Sequence, residues 1–373
     1  MKQLLLLHTC IHKVVIPFIV TIFSFGLINS PTTANWQKEA VDFVGIVGWH
    51  TSLAFDNSGV PAISYYDYSN KDLKYAHFNG SSWDVTTVDD PVQNSTADRT
   101  DVGWYTSLAF DNSGNPSISY YDATDTQLKY AHFNGTTWDI TIVDAAGDVG
   151  IHSSLAFDNS GNPAIAYYDR LNGGLKYAHF NGTTWDITTV DTGPLEGVGG
   201  FASLAFDNSG NPAISYYDYV KTNLKYAHFN GASWDITTVD FRKNVGGFTS
   251  LAFDNSGNPA ISYYDAFKGD LKFAHFNGAT WDIIRIDTKG RVGLYTSLDF
   301  DNSGNPSISY YDATKSNLKY AHFDGSSWDI TTVDSSGAMG RYSSLAFDNS
   351  GNPAISYYAG SHDFDLKYAH FVP

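Results

Sequence analysis

The segment Ser52-Leu53-Ala54-Phe55-Asp56-Asn57-Ser58-Gly59 decides the fold, because it recurs along most of the chain. Copies begin at Ser52, Ser107, Ser154, Ser203, Ser250, Ser297 and Ser344, and the sixth copy alone departs from the motif, with Asp299 in place of alanine. Successive copies start 47 to 55 residues apart. A repeat of this length without helical periodicity is typical of an array of small β-sheet units.

The sixth repeat shows how one unit is predicted to fold. Residues 296–301 and 306–312 are predicted strands, joined by a turn in which Gly304 can adopt the positive φ that such turns need. Residues 318–323 and 328–334 supply a third and a fourth strand. Four short strands joined by tight turns predict one blade of a β-propeller.

The two ends of the repeat array complement each other. The last repeat stops after its third strand, whereas Trp36 and the pair Val41-Asp42 precede the first repeat with the spacing of Trp83 and Val88-Asp89. The chain therefore resembles β-propellers whose N-terminal strand completes the last blade. This resemblance implies an all-β fold: a seven-bladed β-propeller of four-stranded antiparallel blades over residues 35–373.

The first 34 residues differ from the repeats. Two lysines accompany an apolar run over residues 14–28, and small residues stand at positions 32 and 34, where a signal peptidase reads the chain. Residues 1–34 are thus predicted to be a secretory signal peptide, with an uncleaved anchor as the alternative. The protein is expected to be secreted, extracellular or at the cell surface, with no membrane span in the mature chain.

The charge of the chain narrows the classes of partner. Acidic residues outnumber basic ones by 39 to 22, which gives a formal net charge of −17. Such a chain repels a phosphate backbone, so nucleic acid is excluded as an expected partner, and a glycan or an extracellular protein is expected instead.

Aspartates recur where the second and the fourth strand of each repeat end, as at Asp312 and Asp334. Calcium bound at this acidic rim is one hypothesis, and turn capping by the carboxylates is the other. Seven histidines, of which His77 is the first, recur in the third strand. Seven equivalent histidines cannot all be catalytic, so we expect each to hydrogen-bond an aspartate or a hydroxyl within its blade.

The repeats differ from one another at one end of the blade only. The turns after the first and the third strand are nearly identical in every copy, whereas the loops after the second and the fourth strand vary. We call the end with the varied loops the variable face and the opposite end the constant face. Varied loops on a rigid frame are where binding is concentrated, so the variable face is the predicted binding face.

Two adjacent positions before each motif supply the candidate binding residues. The position nearer the motif always carries a ring, and the one before it is diverse. The candidates from both positions are Trp49, His50, Trp104, Tyr105, His152, Tyr295, Arg341 and Tyr342. The rings form either an aromatic mouth that stacks on sugars or apolar ligands, or a packing layer that seals one blade against the next.

The turn over residues 78–83, Phe-Asn-Gly-Ser-Ser-Trp, carries two resemblances. Its Gly-x-x-Trp part resembles the Asp-box turn of sialidases, and the whole turn is similar to the aromatic-Asn-Gly-x-x-Trp turn of several propeller lectins. The lectin resemblance implies carbohydrate binding at equivalent sites in several blades. The sialidase resemblance implies a cluster of three arginines, for which Arg99, Arg170 and Arg341 are the residues that could approach one face.

These observations favour a binding protein over an enzyme, and no catalytic residue is assigned, because the repeated aspartates do not offer a unique pair of carboxylates. The leading prediction is a secreted or cell-surface protein that recognises carbohydrate through the variable face. A sialidase-like hydrolase that acts on glycans and a protein-binding adhesive scaffold are the alternatives.

Overall fold

The computed structural model describes residues 35–90, 100–194, 197–360 and 363–373. Within these ranges the chain forms strands and no helix, and the strands make seven antiparallel four-stranded sheets. The predicted seven-bladed β-propeller is therefore confirmed. The predicted signal peptide and most of the long loop after the first blade, with Arg99, lie outside the described residues.

Six blades consist of four consecutive strands each, and the seventh combines the two ends of the chain. Blades 1 to 3 comprise β2 Val47–Phe55, β3 Pro61–Asp67, β4 Asp72–Phe78, β5 Trp83–Asp89; β6 Val102–Phe110, β7 Pro116–Asp122, β8 Gln127–Phe133, β9 Trp138–Asp144; and β10 Val149–Phe157, β11 Pro163–Asp169, β12 Gly174–Phe180, β13 Trp185–Thr192. Blades 4 to 6 comprise β14 Val198–Phe206, β15 Pro212–Asp218, β16 Asn223–Phe229, β17 Trp234–Asp240; β18 Val245–Phe253, β19 Pro259–Asp265, β20 Asp270–Phe276, β21 Trp281–Asp287; and β22 Val292–Phe300, β23 Pro306–Asp312, β24 Asn317–Phe323, β25 Trp328–Asp334. Blade 7 has the strand order β1 Asn35–Asp42, β28 Leu366–Val372, β27 Pro353–Ala359, β26 Met339–Phe347.

The hydrophobic core is divided among the interfaces between blades. One cluster joins Leu128 and Tyr130 of blade 2 to Leu155, Ile165 and Tyr167 of blade 3, all of them buried. Equivalent clusters lie at the other interfaces. Because each blade buries its faces only against its neighbours, an isolated blade would lose most of its core.

The repeated Ser-Leu pair fastens neighbouring blades next to the axis. The Leu108 N–H donates to Ser52 Oγ of the preceding blade at 3.0 Å. The same bond recurs at all seven interfaces and ends with the Leu53 N–H donating to Ser344 Oγ. The motif that reveals the repeat in the sequence is thus the motif that joins one repeat to the next.

Strand β1 closes the ring through the register expected from the sequence. Trp36 pairs with Phe371, as Trp185 pairs with Phe180 in blade 3. The Trp36 ring also packs edge-on against Tyr320 of blade 6, with 5.2 Å between ring centroids. The N-terminal strand therefore completes blade 7 and contributes to its interface with blade 6.

Removal of this strand is expected to destabilise the whole ring. Trp36→Ala should lower the free energy of unfolding by about 3 kcal/mol, because it deletes a ring packed between two blades. Deletion of residues 35–46 should abolish cooperative unfolding. Urea titrations measure both effects, and Gln37→Ala, an exposed change on the same strand, is the control. An unchanged midpoint for Trp36→Ala would contradict closure by β1.

Asp299, the exception to the motif, lies in β22 where the other blades carry alanine. Burial raises the pKa of this carboxyl to about 6, although the Phe300 N–H donates a hydrogen bond to it at 2.8 Å. The folded state thus holds the proton at pH values where the unfolded state has released it. The ionised carboxylate therefore costs stability above this pKa.

Asp299→Ala should accordingly stabilise the protein by about 1–2 kcal/mol at pH 7. The gain should shrink as the pH falls towards 4, because both states then become protonated. Thermal unfolding of the two proteins at both pH values measures the difference. A gain that does not depend on pH would show that packing, and not charge, is responsible.

Candidate functional site

The seven rings that precede the motif lie around the central axis. Each adopts a positive φ of 53–55°, an uncommon conformation for residues with bulky side chains. The register between the first two strands skips this position, as between Trp49↔Tyr66 and Ser52↔Ser64 in blade 1. The resulting bulge presents the ring to a central cavity of about 180 Å³.

These rings form a closed circle, which we call the aromatic belt. Its members are His50, Tyr105, His152, Phe201, Phe248, Tyr295 and Tyr342. Neighbouring ring centroids are 4.4–4.7 Å apart all the way round, and Tyr342 returns to His50 at 4.5 Å. The faces and edges of the rings are already in contact with one another, which favours the sealing interpretation over a mouth that stacks on a ligand.

A layer of hydroxyl groups lies directly behind the belt. Thr296 Oγ1 donates to the Phe248 carbonyl at 2.7 Å and lies 2.8 Å from Ser262 Oγ of the preceding blade. Five further interfaces contain the same hydroxyl pair. At the interface of blades 3 and 4, Ala166 and Ala202 replace both members together. Because both hydroxyls are absent at this interface, no single hydroxyl is left buried without its hydrogen-bond partner.

The two histidines of the belt are held neutral. Burial, and secondarily the charge that His152 would carry, lowers the pKa of His50 to about 3. Burial lowers the pKa of His152 to about 3 as well. Between pH 6.5 and 3 the two histidines therefore bind protons in the unfolded chain but not in the folded belt. The belt loses stability as the pH falls through this range.

Replacement of both histidines by phenylalanine, the residue at this position in blades 4 and 5, should reduce that loss. Each histidine should account for about 1 kcal/mol between pH 6.5 and 5, a figure reduced because the rings are partly accessible from the cavity. Urea unfolding of wild type and His50→Phe/His152→Phe across this range tests it. Equal pH slopes for the two proteins would show that these histidines already titrate normally.

The diverse position before the belt places its side chains unevenly over the variable face. The Trp49 ring lies 4.6 Å from that of Tyr68, and the Trp104 Nε1–H donates to Asp101 Oδ1 at 2.7 Å. Arg341 lies over the ring of Tyr311, with 5.7 Å from its guanidinium carbon to the ring centroid. Arg170 is ion-paired with Asp148, so of the two described candidate arginines only Arg341 has no ion pair and could serve a sialidase-like cluster.

The aspartate rows are engaged within the fold. Asp144 Oδ2 accepts hydrogen bonds from Tyr167 at 2.7 Å and from Lys176 at 3.0 Å, and Oδ1 caps the Ala146 N–H. Although burial raises its pKa, these hydrogen bonds hold the pKa of Asp144 below its usual value. The tyrosine bond recurs at all seven interfaces, at 2.6–2.8 Å.

This arrangement supports turn capping as the role of the aspartates. In the described ranges, no three His, Cys, Asp or Glu side chains are grouped so as to hold a metal ion. Calcium stays a hypothesis that no observation supports.

The constant face contains clefts that the sequence does not place, although the phenylalanine and the tryptophan of the lectin-like turn line them, as Phe229 and Trp234 do between blades 3 and 4. The cleft between blades 3 and 4 has a volume of about 340 Å³. Asp158, Tyr177, His179, Asp186 and Thr188 line it on one side, and Phe206, Gly210, Asn211, Pro212, Phe229 and Trp234 line it on the other. We call this kind of space an inter-blade cleft.

A histidine–aspartate pair forms one wall of the cleft. His179 Nε2 lies 2.9 Å from Asp158 Oδ2, and the Asn162 N–H donates to Asp158 Oδ1 at 2.8 Å. Six blades contain this pair, at 2.8–3.3 Å, so the predicted bond between the repeated histidine and an aspartate is confirmed in those blades. The histidine side chain keeps about a third of its surface exposed, at 32% for His179.

Four successive interfaces, from blade 2 to blade 6, contain equivalent clefts of about 340–350 Å³. The cleft between blades 5 and 6 differs in having Phe273 and Ile284 where the others have tyrosine and threonine. At the interface of blades 7 and 1 the corresponding residues change further, to Gln37, Glu39 and Val60. The ring thus contains near-identical clefts, together with an interface between blades 7 and 1 whose corresponding residues differ.

The comparisons with known proteins concern the fold. No family model and no curated protein matches the chain. A solved structure of a PL25 polysaccharide lyase, an ulvan lyase bound to -[GlcA(1-4)Rha3S]-, is 12% identical, with a TM-score of 0.60 over 88% of this chain and 95% of that one. YCF48 from Cyanidioschyzon merolae is 10% identical, with a TM-score of 0.56 over 90% and 99%. AofleA from Arthrobotrys oligospora is 15% identical, with a TM-score of 0.51 over 81% and 90%.

At these identities the similarity establishes a β-propeller and does not transfer a function. The solved propellers include one that is bound to a glycan and one that is bound to a peptide, YCF48 with the D1 peptide. Binding of a glycan or of a protein is thus compatible with the class of fold. No helix in the described part of the chain is long and apolar enough to cross a membrane.

Proposed function

We propose that this protein is a secreted or cell-surface carbohydrate-binding protein that holds sugars in its inter-blade clefts. The observation that carries the proposal is the recurrence of one cleft, with a tryptophan, a histidine–aspartate pair and a second aspartate, at successive interfaces. A volume of about 340 Å³ lies in the range of small-molecule sites, which combine an apolar lining with a few polar groups.

The cleft offers the two kinds of contact that a sugar ring needs. Trp234 is only partly buried, and its ring is held edge-on to Tyr177 at 5.3 Å between centroids. This packing fixes the indole without covering it completely, so that the apolar face of a sugar can lie against it. His179, Asp158 and Asp186 supply donors and acceptors for hydroxyl groups.

The charge of the clefts favours neutral sugars. Each of the four clefts is lined by two aspartates, and none of the described residues that line them is lysine or arginine. A sugar carboxylate or sulfate would meet uncompensated negative charge there. Shallow sites of this kind bind single sugars weakly, and several clefts on one rigid ring would bind a multivalent glycan with much higher avidity.

The sequence alone predicts a glycan site on the variable face, at Trp49, Trp104 and their neighbours. This site is the alternative to the inter-blade clefts. The aromatic belt gives it less support, since its rings are packed against one another. Secretion is part of the proposal because residues 1–34 are predicted to be a secretory signal peptide.

A glycan array with the protein comprising residues 35–373, run with calcium and with a chelator, identifies the ligand, and calorimetry then counts the sites. Trp234→Ala should lower the number of sites by one and leave the Kd of the others unchanged, because it destroys one cleft. Trp104→Ala is the control on the variable face and should leave the number unchanged.

The reverse pattern, with loss of binding in Trp104→Ala only, would move the site to the variable face. Absence of binding to any neutral glycan would reject the proposal and favour a protein-binding scaffold. Loss of binding under the chelator would restore calcium as a ligand of the site. Thermal unfolding of each variant verifies that the ring is intact.

A further inference from the structure

The basic residues of this acidic protein fall into two groups. Most of the described lysines and arginines form ion pairs, as Lys71 does with Asp101 and Arg170 with Asp148. Eight described residues form none, and they are Lys221, Arg242, Lys243, Lys268, Lys289, Arg291, Lys315 and Arg341. All eight belong to the variable face of blades 4 to 7, so the unpaired positive charge is confined to one sector.

Seven of these cations lie in five consecutive loops, which we call the basic arc: residues 219–222, 241–244, 266–269, 288–291 and 313–316. The loops are hydrogen-bonded to one another. The Asn244 N–H donates to Thr222 Oγ1 at 3.1 Å, and the Ala266 N–H donates to the Asn244 carbonyl at 2.9 Å. At the other end the Arg291 N–H donates to Thr314 Oγ1 at 2.7 Å. The charges therefore sit on one continuous strip of backbone.

Exposed apolar side chains alternate with these charges. Val220, Phe241 and Phe267 are 50%, 76% and 58% exposed, and each is followed directly by a lysine or an arginine. Apolar side chains of this size are normally buried, and a group of exposed ones on one surface marks an interaction site. The basic arc therefore combines positive charge with apolar tips in each of its first three loops.

The carboxylates beneath the arc do not cancel its charge. Asp240 and Asp287 are buried and are matched by Lys272 and Lys319 of the third strands. Three further buried carboxylates accept backbone N–H groups of the arc loops, and they are fewer than the seven cations of the arc: Asp218, Asp265 and Asp312. Asp270, also buried, lies 3.3 Å from Arg285. The remaining acidic surface of the protein is distributed over the rest of the ring and the constant face, and salt screens charges beyond about 8 Å at physiological ionic strength.

We infer that the basic arc docks the propeller onto an anionic lipid surface. Lysine and arginine attract anionic headgroups, and adjacent apolar side chains enter the boundary between headgroups and acyl chains. The five loops lie at the same end of the ring, which suits contact with an extended surface. The constant face, with its inter-blade clefts, would then point away from the lipid.

An acidic polysaccharide would account for the charges but not for the apolar tips. The ammonium groups of Lys243 and Lys268 lie over the Phe267 ring, at 5.4 and 5.3 Å from its centroid. These cations occupy the ring face on which a sugar would stack. The same pairing suits insertion, since the ring can enter the lipid boundary while its cations meet the headgroups.

Sedimentation with vesicles tests the docking. The protein comprising residues 35–373 should sediment with vesicles of phosphatidylglycerol in phosphatidylcholine, should not sediment with pure phosphatidylcholine, and should be released by high salt. Phe241→Ser/Phe267→Ser should weaken binding about tenfold or more, and so should the quadruple change of Lys221, Arg242, Lys243 and Lys268 to glutamine.

Leu171→Ser is the matched control. Leu171 is 56% exposed in the equivalent loop of blade 3, but its neighbour Arg170 is neutralised by Asp148. This variant should bind vesicles as the wild type does.

Three results would overturn the inference: no sedimentation with the anionic vesicles, an equal loss in Leu171→Ser, or undiminished vesicle binding by the phenylalanine double variant. The phenylalanine double variant could bind vesicles undiminished while the protein is also retained on heparin and the quadruple glutamine variant is not. In that case the arc would recognise a polyanion instead. The clefts lie on the opposite face, so calorimetry with a glycan distinguishes failure of this inference from failure of the proposed function.

Discussion

The structure depends on one hydrogen bond made seven times, from the leucine N–H of one blade to the serine Oγ of the blade before it. A single such bond contributes little net stability. Closed into a circle, the seven bonds fix the innermost strands at a constant separation, and the other interface contacts follow from that spacing. The tyrosine–aspartate bonds and the divided core repeat because each interface is a copy of the next. The described part of the chain therefore divides a large core among equivalent interfaces.

Backbone strain next to the axis is part of the same design. Seven bulky residues hold a conformation that costs each of them free energy, and the bulge that causes it turns their rings towards one another. Ring contacts and the hydroxyl layer behind them offset that cost. The joint substitution of Ala166 and Ala202 indicates that the unit of this layer is the pair across an interface and not the single blade.

The fold could be predicted from the sequence because its evidence is local and repeated: the spacing of the motif, the turn residues and the matching ends of the chain. The clefts could not, because each one combines residues of two blades, such as His179 and Trp234, that no local pattern connects. Comparison of the repeats also directed attention to positions that vary. Recurrence in every blade favours a structural interpretation of the histidines, and the lectin-like turn is the repeated feature that indicates a site in several blades. The distinction between paired and unpaired cations on the variable face needed coordinates, since Arg170 and Arg242 look alike in the sequence.

The aromatic belt also bears on how many blades the ring can have. Its rings touch their neighbours at 4.4–4.7 Å around the full circle, which leaves no slack along the circumference. An eighth repeat would widen the circle and pull the rings apart, and a sixfold ring would force them to overlap. The spacing of the belt thus suits seven repeats. In a chain that has gained or lost one repeat by recombination, the rings around the axis would no longer pack against one another.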